Sequence, residues 1–244
     1  MKLLVIGESC KDVFIYGEAL RLAPEAPAPV FVPHREVSNP GMAANVVENL
    51  KALGATVEFI TNTNKITKTR YLDDKTNHLL LRVDVGDSLT NKVQTLTSDF
   101  LNKFDAIVIS DYCKGFVSES DIFSICNYHK YVFIDTKKTI GNAFKMAKYI
   151  KINSREYESS ESSIRTIDGL EEKIIVTLGK EGCKLGRKMY PVEEVQVKDQ
   201  VGAGDTFLSG LVVKYMETKN IDLAISFANE CATKVVSKRG VVTI

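Results

Sequence analysis

Short apolar runs, each stopped by glycine or a polar residue, alternate along this chain with segments of helical spacing. Leu3-Leu4-Val5-Ile6-Gly7 reads as a buried strand, and so do Ala106–Ile109, Val132–Ile134, Tyr149–Ile152 and Ile174–Val176. Val57–Thr61 is a further strand. Between them, Met42, Val46, Leu50 and Leu53 fall on one face of a helix running from about Gly41 to Leu53, which Gly54 ends. Residues 118–127 form another helix. Two more occupy the last third, about Ala203–Thr218 and Asp222–Lys238; the second carries Ala224, Phe227, Ala228, Cys231 and Val235 on one face and is closed by Gly240. Strands alternating with helices predict an α/β fold, a mostly parallel sheet with helices on both faces. The polar residues Ser110-Asp111, Asp135, Asn153 and Thr177 then sit at carboxyl ends of strands, the edge where open α/β sheets bind ligands.

One region departs from the alternation. Residues 29–37 read as extended, because Pro24, Pro27 and Pro29 oppose helix there. Thr69–Tyr71 and Leu79–Val85 read as extended segments around a turn at Asp73-Asp74. Together with 29–37 they predict a small separate sheet. The polar stretch 158–163 reads as a loop or an exposed helix end.

Composition narrows the function classes. The 244 residues, 44% hydrophobic and 26% charged, suit a single globular domain spanning 1–244. The net charge of +1 supplies no field for holding a nucleic-acid backbone. No apolar run approaches a membrane span. A strand beginning at residue 2 leaves no room for a signal peptide. The five cysteines are scattered, odd in number and without a CxxC pair, which favours reduced thiols and a cytoplasmic protein. His34, His78 and His129 lack ligand spacing, and neither a Walker A pattern nor a GxGxxG following a strand is present.

The chemistry concentrates in Asp199-Gln-Val-Gly-Ala-Gly-Asp-Thr-Phe-Leu-Ser-Gly210. Gly202-Ala203-Gly204 lets backbone approach a ligand, and the apolar helix that begins there offers free N–H groups to an anion. Asp205 lies beside that anion. Phosphoryl transfer needs this pairing: fixed donors for the charge on the moving phosphoryl, and a carboxylate to accept the proton of the attacking hydroxyl. An isolated GxGD would serve only to stabilise a helix N-terminus; the leading Asp199 and trailing Thr206-Phe207 favour the catalytic reading.

These residues resemble the C-terminal signature of the ribokinase-like carbohydrate kinases, the PfkB family. Asn39-Pro-Gly-Met-Ala-Ala-Asn45 resembles their N-terminal glycine signature, and Asn153-Ser-Arg-Glu156 their NxxE element. Within the family, Pro24–Val30, Thr67–Leu72, Leu80–Asp84, Ser110–Gly115, Asp135-Thr-Lys137 and Lys238-Arg-Gly240 are most similar to the heptose 7-phosphate kinases. Departures are Glu8 where that subgroup usually has Asp, Met42 in place of the signature's second glycine, a missing segment of several tens of residues between Asn62 and Thr67, and a short stretch after Glu156.

The resemblance implies a three-layer α/β/α sandwich with a β-sheet lid near 29–37 and 69–85, and ATP and Mg²⁺ as cofactors. It implies Asp205 as base with Gly202, Ala203 and Gly204 as anion hole, and Asp12, Gly41 and Asn45 on the sugar hydroxyls. Arg70 and Arg82 would meet a sugar phosphate. Asn153 and Glu156 would organise Mg²⁺ and phosphates, Lys137 would steady a phosphate, and Thr177, Gly179 and Asn229 would border the nucleotide. The implied reaction is phosphorylation of D-glycero-D-manno-heptose 7-phosphate to the 1,7-bisphosphate, for nucleotide-activated heptose, with a homodimer formed through the lid strands. A kinase of another sugar and a non-catalytic sugar- or nucleotide-binding homologue stay open.

Overall fold

Alternation inside the strands decides the layering. In the computed structural model, which describes residues 1–88, 91–237 and 243–244, β1 (Lys2–Gly7) sends Leu4 and Ile6 to one face of the sheet and Leu3 and Val5 to the other, all four fully buried. On the first face they meet β7 (Ala106–Asp111), β8 (Val132–Thr136) and β9 (Tyr149–Asn153), covered by α3 (Glu119–Tyr128) and α4 (Ser154–Thr166). On the second face the cover is α1 (Ala43–Ala52), α5 (Ala203–Thr218) and α6 (Ile221–Val236). A strand apolar on both sides has to be sandwiched in this way.

With β4 (Thr56–Ile60), β10 (Ile174–Thr177), β11 (Cys183–Leu185) and β12 (Lys188–Tyr190), the large sheet has the order β12-β11-β10-β9-β8-β7-β1-β4. It is parallel from β10 to β4, and β11 and β12 are antiparallel. The carboxyl ends of β7, β8, β9 and β10 carry Asp111, Asp135-Thr136, Asn153 and Thr177 to one edge, as the strand pattern predicts.

The second sheet has four strands in the order β3-β2-β5-β6, with β2 Ser9–Leu22, β3 Pro29–Met42, β5 Thr67–Asp73 and β6 Leu79–Val85. The expected separate sheet is therefore present, but its wiring differs. The 69–85 hairpin pairs with β2, not with 29–37, through a parallel β2–β5 ladder. Sequence reading omitted β2 because Lys11, Asp12, Gly17 and Glu18 interrupt its apolar pattern.

Helix boundaries also shift. β3 runs through Met42, so α1 begins at Ala43 and not at Gly41; Met42 itself has φ 59 and ψ −135, a conformation L side chains rarely adopt. Residues 158–163 lie inside α4, which buries Ser160 and Ile164 and starts with a capping box in which Asn153 and Glu156 exchange side-chain-to-backbone bonds. A short helix, α2 (Ser98–Leu101), precedes β7. The five cysteines are free thiols. Lys238, Arg239 and Gly240, including the expected end of the last helix, lie outside the described residues.

Candidate active site

Asp205 enters the first turn of α5 directly behind Gly202, whose φ of 83 is the left-handed turn that aims the helix N-terminus at the sheet edge. The carboxylate is 6% exposed and has two neutral donors. Asn45 Nδ2 of α1 donates to Oδ2 at 2.8 Å, and the Tyr112 hydroxyl donates to Oδ1 at 2.9 Å.

Both donors are held from behind. Asn49 Nδ2 donates to the Asn45 carbonyl oxygen and side-chain oxygen, while Thr206 Oγ1 donates to Asn49 Oδ1, so the amides of α1 and the start of α5 form one network. Tyr112 follows β7 on a loop organised by Glu8. That fully buried carboxylate accepts the backbone N–H groups of Tyr112 (2.8 Å), Lys114 (3.0 Å) and Phe116 (3.2 Å). The Tyr112 ring rests on Cys10, Met42 and Ile66.

In front of Asp205 lies a polar cavity of about 150 Å³. Gly202, Gly204 and Asp205 form its α5 wall, and Asp135, Lys137, Lys151, Asn153 and Glu156 the sheet-edge wall. Each acidic group at this edge other than Asp205 has its own lysine: Asp111 with Lys138 at 2.6 Å, Asp135 with Lys151 at 2.7 Å, and Glu156 with Lys137 at 3.2 Å. Burial pushes the Asp205 carboxyl up to about 6, with the Asp135 charge adding to it against the pull of Asn45, Lys151 and Tyr112. Burial and the Asp205 charge likewise hold the Tyr112 phenol well above its ordinary value, so it remains a donor.

The expected residues fall into three groups. Gly202, Gly204, Asp205, Asn153, Glu156 and Lys137 share the cavity; Asn45 reaches it through Asp205, and Ala203 is the first residue of α5. Asp12, Gly41 and Arg70 form a second cluster at the base of the four-stranded sheet. There Arg70 pairs with the buried Asp12 at 2.5 Å, and a side chain at position 41 would collide with the Asp12 carboxylate. Arg82 stands opposite Arg70 in register, but its guanidinium bonds Asp84 on its own exposed strand.

Thr177 ends β10, one strand along from Asn153, and Gly179 lies two residues beyond it. Asn229 is buried in α6 with Nδ2 donating to the Tyr190 carbonyl, so its amide is already engaged. Sequence reasoning passed over Glu8's three bonds, Tyr112 and Lys151. For Lys151 a signal existed: a charged residue between Ile150 and Ile152 in a strand buried on both faces.

Among the described residues, no three acidic, cysteine or histidine side chains converge closely enough to bind a metal by themselves. A cavity lined by Lys137 and Lys151, with Glu156 and Asn153 at its edge, suits a hydrated cation arriving on a polyphosphate, the usual state of Mg²⁺ in such sites.

Residues 61–244 match the family described as pfkB family carbohydrate kinase. The chain belongs to that family. Among curated relatives, the bifunctional protein HldE of Helicobacter acinonychis (strain Sheeba) is 30% identical across 98% of this chain, and HldE of Vibrio vulnificus (strain YJ016) is 28% identical across 99%. The chain spans 63% and 61% of those proteins' lengths. The first alignment runs over 293 residues against 244 in the whole chain, so the relative carries several tens of additional residues within the matched region.

Solved structures give the fold. The ribokinase of Thermotoga maritima superposes with TM-score 0.72 at 18% identity, covering 98% of this chain and 94% of its own. A putative ribokinase from Agrobacterium tumefaciens superposes at 0.76 and 14% identity over 98% and 92%. No helix among the described residues is long and apolar enough to cross a membrane.

Proposed function

We propose that this kinase phosphorylates D-glycero-D-manno-heptose 7-phosphate at its anomeric hydroxyl, with Asp205 as the base. The observation that carries the base assignment is the contrast among the acids at this edge. Asp111, Asp135 and Glu156 are neutralised by lysines, whereas Asp205 is held by two neutral donors and pushed up to about 6. A carboxylate in that state is charged at neutral pH and basic enough to accept a proton as a hydroxyl attacks.

In the reaction the sugar oxygen forms a bond to the γ-phosphorus while its proton passes to Asp205. The bond from phosphorus to the β,γ-bridging oxygen breaks, and ADP leaves. Gly202, Ala203 and Gly204 offer the N–H groups of the α5 start to the phosphoryl oxygens. Asn153, Glu156 and Lys137 would hold the Mg²⁺-bound phosphates, for which the cation would supply charge neutralisation. Thr177 and Gly179 border the nucleotide, with Asn229 behind that edge. Asp12, Gly41 and Asn45 orient the sugar, and Arg70 and Arg82, which pair with Asp12 and Asp84, would exchange those partners for its phosphate.

In this reading the four-stranded sheet is the lid of a single kinase domain covering residues 1–244. Its edge strand β6 exposes Leu79, Leu81, Val83 and Val85, and pairing of that edge with a second copy makes a homodimer. The substrate assignment rests on the HldE relatives.

ADP release from ATP and Mg²⁺ tests it, with the heptose phosphate, ribose and fructose 6-phosphate as acceptors, for wild type and Asp205→Asn. Turnover with the heptose phosphate that collapses in the variant supports both parts. Turnover only with another sugar overturns the substrate and keeps the base. Turnover that persists in Asp205→Asn overturns the base.

A further inference from the structure

Two lysines line the cavity and a third pairs with its Asp111, and they differ in what surrounds them. The Lys137 side chain is 47% exposed. Lys138 is turned onto Asp111, which also accepts the Thr136 hydroxyl. Lys151 is only 8% exposed, lines the cavity, and lies against the start of α5: a Cβ at position 204 would stand 2.8 Å from its Nζ.

We propose that the Lys151 ammonium binds the phosphoryl group during its transfer, and that position 204 is glycine because any side chain there would push this ammonium off the phosphoryl site. The inference rests on the kinase reading and deepens it.

Three physical points support it. An ammonium buried without a partner would shed its proton. Burial does pull Lys151 down, but Asp135 at 2.7 Å outweighs that, with Asp205 and Glu156 adding to it, so Lys151 stays a cation. Second, the charge of the transferred group spreads over its three equatorial oxygens, more than one helix N-terminus neutralises, and a fixed cation in a closed cavity stabilises such charge far better than one in water. Third, register fixes the place: Lys151 pairs with Asp135 across β8–β9 and stands two residues before Asn153 on the same face of β9.

The test compares the wild type with Asp135→Asn/Lys151→Met, so that removing the cation leaves no buried carboxylate unpaired. Turnover is read together with the affinity for ADP alone and for ADP with aluminium fluoride, a mimic of the phosphoryl group in flight, in the presence of the acceptor sugar. The expected result is a fall in kcat of roughly 100- to 1,000-fold on loss of the lysine. Binding of the aluminium fluoride complex should weaken in parallel, while ADP affinity stays within about threefold, since ADP lacks the transferred group.

Gly204→Ala in the wild type should cost a similar factor, and in the Asp135→Asn/Lys151→Met background little more, because the changes act on one group. An unchanged kcat in the double variant overturns the inference while leaving the kinase reading standing. Equal losses of ADP and ADP–aluminium fluoride binding also overturn it, in favour of a structural role. A wild type that turns over no sugar overturns the kinase reading, and this inference with it.

Discussion

Replacing Asp205 by Asn should make the protein more stable at neutral pH while abolishing turnover. In the folded chain the Asp205 carboxyl is pushed from its ordinary 3.8 to about 6. The folded state therefore holds the proton to higher pH than the unfolded state does, and stability falls as pH rises between those values. Above pH 6 the buried charge costs about 3 kcal/mol, the gap between the two values converted to free energy.

Asparagine carries no charge and keeps the shape. Its oxygen accepts from Asn45 Nδ2, and its amide nitrogen donates to the Tyr112 hydroxyl oxygen, which can exchange roles. Thermal unfolding of both proteins from pH 4 to pH 8 measures the difference. At pH 8 the variant should gain up to about 3 kcal/mol, or about 6–12 °C in Tm for a chain of this size. The gain should shrink through pH 6 and vanish near pH 4, where both side chains are neutral. A variant no more stable at pH 8, or one whose gain is the same at pH 4, would refute a buried, uncompensated charge. The same group sets the acid limb of kcat/KM, which should fall about tenfold per pH unit below about 6. Tyr112→Phe, which removes a donor that pulls this carboxyl down, should move the limb to higher pH.

Glu8→Gln should cost about 2 kcal/mol in urea unfolding, because one of its two acceptor oxygens becomes a donor facing the backbone N–H groups of the 112–116 loop; an unchanged midpoint would show that the loop holds itself. Asn153→Asp should keep the cap of α4 and stability within about 0.5 kcal/mol, yet raise KM for ATP by adding a negative charge beside the phosphates. Unchanged kinetics would reduce Asn153 to its capping role. Leu81→Lys with Val83→Lys on the exposed β6 edge should convert a dimer to a monomer in light scattering, and a wild type that is monomeric at micromolar concentration would remove the lid-edge dimer.

The glycine turn that carries Asp205, the helix behind it and the strand ends of the large sheet were legible in the sequence, because each depends on local order. Apolar runs of four or five residues make buried strands wherever they fall, and glycines ahead of an apolar helix make an anion site from backbone alone. Strand β2 was not legible: its charged residues look wrong for a sheet until Arg70, 58 positions on, arrives to pair with Asp12. Nor was α4 fully legible, since its polar stretch declares a helix only through the reciprocal bonds of Asn153 and Glu156.

What tertiary structure alone decided is which charges are cancelled. The glycines before Asp205 mark it out in the one-dimensional chain, but nothing there says which of Asp111, Asp135, Glu156 and Asp205 has a cation beside it. Lysines set beside the first three by strand register and loop geometry, and neutral amide and phenol groups set beside the fourth from α1 and the loop after β7, leave Asp205 alone as a carboxylate without a cation of its own. Pairing of charges across strands and helices depends on distances of a few ångströms between residues far apart in sequence, and only folding brings those distances into being.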